Sequence, residues 1–183
     1  GAHAFYQACR KHQIKPIIGC EVYLTPGSRF DKKKRSESQL HHLVLLCKDL
    51  TGYRNLLKLC SLAHLEGYHY KPRIDLDLLS RHKEGLIALS GCLAGEIPQY
   101  LLQNKPEEAL SAAKRYQSMF GGDFYIEIQD HGLLEQKRIM DGLIALSKQT
   151  GVKLVATNDV HYISREDAQL QDILLCIGTG KTI

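Results

Sequence analysis

The stretch Lys153-Leu-Val-Ala-Thr-Asn-Asp-Val-His-Tyr162 is the starting point for interpreting the rest of the chain. Its first part, Lys153 to Ala156, predicts a short strand covered on both faces, because brief apolar runs bounded by turn-forming residues are typical of buried strands. Asp159 and His161 lie two positions apart, so in an extended chain their side chains point to the same side. They predict half of a divalent metal site, and the alternative is an Asn-Asp turn beside a histidine that caps the next helix.

The composition favours a globular domain with reduced thiols. A chain of 183 residues with a formal net charge of +4 is long enough to bury a core, and its charge permits a polyanionic partner without identifying one. No apolar run approaches the roughly 20 residues that span a bilayer, and the first residues carry no signal-peptide pattern. We therefore expect a soluble cytoplasmic protein without membrane contact. Six cysteines are spread without the regular spacing of a disulfide framework, at positions 9, 20, 47, 60, 92 and 176.

Strand and helix patterns alternate along the chain. This alternation predicts an α/β fold, either a barrel or an open sheet, with polar residues gathered just past the strand ends. Predicted strands cover residues 15–24, 41–47, 85–90, 124–129 and 153–156. Predicted helices cover residues 2–12, 53–65, 106–120 and 133–149, and a last helix begins with a cap at residues 164–167.

Three further residues fit a metal site together with Asp159 and His161. Glu21 lies inside an apolar strand, where a carboxylate is costly unless it binds a metal or a basic partner. His42 begins the next strand, and its neighbour His41 must face the other side. Cys92 follows a strand in a glycine-bounded turn, where it is either a ligand or a small buried residue. Because His42 begins its strand whereas the other candidates lie at or near strand exits, we predict that the Glu21 and His42 strands are antiparallel.

Two polar segments allow a second interpretation. Residues 25–39 include Arg29, Lys32 and the run Lys33-Lys-Arg35, which fits either phosphate contact or a solvated loop. Residues 68–75 form an aromatic and basic loop that could hold a phosphate or a base, although Tyr and Arg are also common on surfaces.

The order and contexts of these residues resemble one known family. The chain resembles the PHP (polymerase and histidinol phosphatase) domain, and more narrowly the form of that domain in the bacterial DNA polymerase III alpha family. The resemblance covers essentially the whole chain. It rests on residues 16–23 (PIIGCEVY), 26–30 (PGSRF), 42–46 (HLVLL), 70–75 (YKPRID), 90–98 (SGCLAGEIP) and 156–162 (ATNDVHY).

The resemblance implies a distorted seven-stranded α/β barrel whose pocket binds zinc or manganese through Glu21, His42, Cys92, Asp159 and His161. We expect His131 and Arg73 to support the ligands from behind or to contact a phosphate. It also implies that residues 1–178 are a partial PHP domain and that 179–183 begin the link to a polymerase module. The chain starts inside one helical pattern and ends just after another, and the family's first ligands would precede Gly1. We therefore expect a fragment that binds metal weakly when alone and does not polymerise DNA.

The implied function is that of one part of a replicative DNA polymerase. An intact site would hydrolyse phosphoesters for proofreading, as a metal-dependent 3′–5′ exonuclease, whereas a decayed site would be a platform that docks the separate proofreading exonuclease. DNA and other replicase subunits are then the expected partners. A free-standing phosphatase of the histidinol phosphate type and a non-catalytic docking module remain as alternatives.

Overall fold

The computed structural model describes residues 1–32 and 39–182. Within them, six strands are present: β1 Gly19–Leu24, β2 His41–Cys47, β3 Arg73–Ile74, β4 Leu86–Leu89, β5 Phe124–Ile128 and β6 Lys153–Ala156. Seven α-helices accompany them: α1 Ala2–Lys11, α2 Leu50–Leu65, α3 Leu76–Arg81, α4 Glu96–Leu102, α5 Pro106–Phe120, α6 Leu134–Thr150 and α7 Ala168–Thr179. Lys33, Lys34 and Arg35, part of the predicted basic loop, lie outside the described residues.

Every predicted strand and helix is present, and the ends of several are shifted by a few residues. The capping box predicted before the last helix is also present, because Ser164 and Asp167 bond each other reciprocally across one turn. Sequence reasoning missed β3, α3 and α4, which are two to seven residues long. Such short elements contain too few residues for a periodic pattern to be recognised.

The strands form one mixed sheet in the order β3-β1-β2-β4-β5-β6. β2 is antiparallel to both β1 and β4, and the remaining neighbours are parallel. The antiparallel pairing of β1 with β2 confirms the predicted orientation of these strands. His42, at the beginning of β2, therefore lies beside the end of β1. The α/β class is confirmed. In the residues that the structure describes, no pairing joins β3 to β6, so the sheet has two edges.

The core lies on one face of β1 and β2. Val22 and Leu24 of β1 alternate with exposed or half-buried residues, and they are buried with Leu43 and Leu45 of β2 against Leu59 of α2. The opposite face of the same two strands carries Glu21, Tyr23 and His42, because successive side chains of a strand point to opposite faces. Burial of one face therefore fixes which side chains the other face presents.

The prediction that β6 is buried on both faces is wrong. Three of its four residues are exposed, including Leu154. β6 is the last strand of the sheet and pairs with β5 alone, and helix α7, which follows it, has no buried residue. Five large apolar residues of α7 are exposed: Leu170, Ile173, Leu174, Leu175 and Ile177. Among the described helices, none is long and apolar enough to cross a membrane.

Candidate metal centre

Glu21, His42 and Cys92 meet at one end of the central strands of the sheet. Each offers one ligand atom, and these atoms lie within 4.8 Å of one another. The Nδ1 atom of His42 is 2.8 Å from Glu21 Oε1 and 3.5 Å from Cys92 Sγ. Topology explains the meeting, because β2 begins where its antiparallel neighbours β1 and β4 end. Residues from three separate segments are thereby placed around one imidazole nitrogen.

The turn that carries Cys92 is fixed against the backbone of β2. Gly91 has a φ of +84°, and a Cβ atom there would lie 2.6 Å from the carbonyl oxygen of His42. The backbone N–H of His42 donates to the carbonyl oxygen of Ala94 over 3.0 Å. A residue with a side chain at position 91 would be strained and would push the turn away. The glycine therefore allows the thiol to approach His42.

Glu127 is a second organising carboxylate, and sequence reasoning missed it. Its side chain is buried and accepts hydrogen bonds from the backbone N–H of Gly91 at 3.1 Å, from Gln129 Nε2 at 3.1 Å and from the hydroxyl of Thr157. It thus connects the Cys92 turn to the segment after β6. The available signal was the same as for Glu21, a carboxylate inside an apolar strand pattern.

The electrostatics of the cluster favour a cation. The hydrogen bond between His42 and Cys92, followed by that with Glu21, raises the pKa of His42 to about 10. The hydrogen bond from His42 lowers the pKa of Glu21 against the opposing effect of burial, and the charges of His42 and His161 lower it further. A proton on His42 therefore lies between a carboxylate and a sulfur. Carboxylate, imidazole and thiolate are zinc ligands, so these residues fit a metal ion that would replace this proton.

Asp159 and His161 lie on an exposed turn after β6. Asp159 has a φ of +47°, so the extended geometry expected for the pair is wrong. The Nδ1 atom of His161 is 2.7 Å from the carbonyl oxygen of Asp159 and 4.0 Å from its carboxylate. His161 is nevertheless near enough to Glu21 to affect the pKa of that carboxyl. In the described part of the chain, the ligand atoms that meet within 4.8 Å belong to Glu21, His42 and Cys92.

His131 and Arg73, expected to support the ligands or to contact a phosphate, have different surroundings. His131 lines an open cleft with Asp159 and His161, and its Nδ1 atom is 2.8 Å from Gln136 Nε2. Arg73 is 2% exposed, and its guanidinium donates to the carbonyl oxygens of Gly67, Arg29 and Asp31 over 2.8 to 2.9 Å. These bonds favour a structural role for Arg73 over contact with a phosphate.

Fold and site together define an α/β domain with a three-residue candidate metal centre at the ends of its strands. Comparison with known proteins identifies the family. The chain belongs to the PHP domain family, whose model matches residues 1–131. The resemblance seen in the sequence is thereby confirmed.

Several curated relatives match almost the whole chain. It is 51% identical over 183 residues to the DNA polymerase III subunit alpha of Treponema pallidum (strain Nichols). It is 47% identical to the subunits of the same name from Borreliella burgdorferi, over 181 residues, and Thermus aquaticus, over 185 residues. The three alignments cover 99%, 98% and 100% of this chain. They cover 16%, 16% and 15% of the relatives, so the chain corresponds to one region of alpha subunits.

Proposed function

We propose that this chain is the PHP module of a bacterial replicative DNA polymerase, the DNA polymerase III alpha subunit, and that the module binds metal. The identity along the chain supports the first part, and the meeting of Glu21, His42 and Cys92 carries the second. DNA-templated DNA synthesis is then the activity of the whole subunit. Its partners are DNA, the proofreading exonuclease and other replicase subunits, and its location is the cytoplasm.

The proposal extends to the architecture of the module. The six described strands would be part of the distorted seven-stranded barrel that the family resemblance implies. Residues 1–178 would belong to this domain, and residues 179–183 would begin the link to the polymerase module. The mixed sheet with its ligands at the strand ends supports this assignment.

Glu21, His42 and Cys92 would hold the metal ion, with Asp159 and His161 supplied from the neighbouring turn. A thiolate favours zinc, whereas carboxylate and imidazole also suit manganese. When bound, the ion lowers the pKa of a water and offsets charge on a phosphoryl oxygen, which is the chemistry of phosphoester hydrolysis. Glu127 holds the Cys92 turn in place, and His131 lines the adjoining cleft where a phosphate could lie.

The experiment uses the full-length subunit and its Glu21→Gln variant, with the exposed Glu135→Gln as matched control. Bound metal is measured by elemental analysis, and 3′–5′ nuclease activity is measured on a single-stranded oligonucleotide. We expect Glu21→Gln to lose metal and nuclease activity while polymerase activity and circular dichroism remain unchanged. A wild-type subunit without metal would contradict the proposal. Bound metal without nuclease activity would favour the alternative of a docking module.

A further inference from the structure

Tyr23 connects the metal cluster to the surface of the domain. It shares a strand face with Glu21 and lies directly opposite His42 in the β1–β2 register. The rings of Tyr23 and His42 meet edge to face, with centroids 5.2 Å apart and an interplanar angle of 81°. The half-buried phenol ring therefore forms one wall beside the cluster.

Lys71 lies over the same ring. Its ammonium group is 5.2 Å from the centroid of Tyr23. Backbone pairing sets the position of Lys71. Arg73 of β3 pairs with Tyr23, and Lys71 lies two residues before Arg73, just ahead of the strand. The ring centroid of Tyr23 thus lies 5.2 Å from the ammonium group of Lys71 and 5.2 Å from the ring centroid of His42. Lys71 is thus held over the ring that contacts His42, and it is not one of the three candidate ligands.

The neighbouring basic side chains are already engaged. Arg29 pairs with Asp75 and Glu66, and Arg73 donates to backbone carbonyls. Lys32 donates to the carbonyl oxygen of Tyr68 over 2.8 Å. Lys71, in contrast, is exposed and has no carboxylate within salt-bridge distance among residues 1–32 and 39–182. Its charge is therefore available to an anion that approaches the cluster.

We propose that Lys71, supported by the ring of Tyr23, binds a backbone phosphate of single-stranded DNA next to the phosphate at the metal cluster. The inference rests on the proposed function and adds a DNA-binding residue to it. Every nucleotide of a DNA strand carries a phosphate, so a strand with one phosphate at the cluster brings further phosphates towards Lys71 on the neighbouring Tyr23 ring. A Lys ammonium is a point charge that binds phosphate without demanding one geometry, which suits a substrate of any sequence.

The first test measures binding without catalysis. A single-stranded oligonucleotide containing 4-thiothymidine is photocrosslinked to the full-length subunit in the presence of a chelator, and peptides from residues 19–24 and 68–75 are quantified by mass spectrometry. We expect Lys71→Ala to reduce crosslinking at these peptides several-fold and Lys71→Arg to restore it. Lys58→Ala, on the exposed side of α2, is the matched control. Equal crosslinking in Lys71→Ala and Lys58→Ala would overturn the proposal.

The second test separates substrate binding from metal binding. If the nuclease activity is present, Lys71→Ala should raise KM for the oligonucleotide by roughly tenfold, since a charge-assisted contact is lost. It should leave the metal content unchanged, and it should leave KM unchanged for p-nitrophenyl thymidine 5′-phosphate, which has only one phosphate. Loss of metal in Lys71→Ala would contradict a phosphate-binding role. A subunit without metal would overturn the proposed function, while crosslinking would still test Lys71.

Discussion

The region around β1, β2 and β3 and the region around β6 and α7 carry similar chemistry in opposite settings. In the first, Glu21 and His42 extend from strands whose other face is core, and the Arg29–Asp75 ion pair beside them is buried. In the second, Asp159 and His161 lie on a turn after an exposed edge strand, followed by a helix without buried residues. The first region is held in place by packing, and the second is held mainly by local hydrogen bonds.

This difference bears on how a metal centre is built. A ligand on a packed strand keeps its position without metal, because moving it would disturb the core. A ligand on an exposed turn has less to hold it and gains its position partly from the ion. We therefore expect the three-residue cluster to dominate metal affinity, with Asp159 and His161 completing it.

The largest expected effect concerns the buried ion pair. Asp75→Ala should lower the free energy of unfolding by about 3 to 5 kcal/mol, because it leaves the buried Arg29 guanidinium without this partner. Asp75 also caps α3 by accepting the N–H of Leu78 over 2.9 Å. The control is Asp77→Ala, whose side chain is 66% exposed and should cost less than about 1 kcal/mol. Urea denaturation measures both, and equal losses would show that burial does not distinguish these carboxylates.

The second effect concerns metal affinity. Cys92→Ser should weaken zinc binding by the full-length subunit by about 100-fold, at the upper end of what changes around metal ligands cost. Asp159→Asn should weaken it by about tenfold, because the exposed turn adds a ligand to a cluster that is already assembled. Competition with a chromophoric chelator measures both affinities. A larger loss in Asp159→Asn would reverse the ranking of the two regions.

The third effect is acid sensitivity. Burial alone would raise the pKa of Asp75, but the N–H groups of Arg29 and Leu78 and the Arg29 guanidinium outweigh it and lower this pKa. Its stabilisation should therefore be present above the usual aspartate pKa of about 3.9 and be lost as pH falls through the lower folded value. The free energy of unfolding, measured from pH 6 to pH 2, should fall less steeply with decreasing pH in Asp75→Asn than in the wild type. The exposed Asp141→Asn is the control and should keep the wild-type decline.

The smallest effect is expected in α7. Leu174→Ser should change the free energy of unfolding of this chain by less than about 0.5 kcal/mol, because Leu174 is 62% exposed. Leu143→Ala on α6, where the side chain is 3% exposed, should cost about 2 to 5 kcal/mol. Thermal unfolding of both variants measures the change in the free energy of unfolding that each substitution causes. A large loss in Leu174→Ser would indicate that α7 packs more tightly than its exposure suggests.

The sequence predicted which helices and strands form better than it predicted how deeply their residues are buried. Periodicity identified α5, which has enough residues for its apolar face to repeat, and a run of apolar residues identified β2. The apolar run of β6 was taken for a buried strand, since four residues do not reveal whether a second strand or a helix covers them. Arg73 was placed near a phosphate for its charge, while its burial became visible only with the carbonyls that surround it.

By itself, the sequence determined the α/β class, the family and the residue types suited to a metal, because these depend on local patterns and on the chemistry of single side chains. Only the tertiary structure decided that the ligand atoms of Glu21, His42 and Cys92 lie within 4.8 Å of one another, that Asp159 and His161 lie on a separate exposed turn, and that Lys71 lies over the ring of Tyr23. The physical reason is the pairing of β2 with both β1 and β4, which joins residues far apart in the chain. Local patterns specify strands, but strand pairing assembles the site.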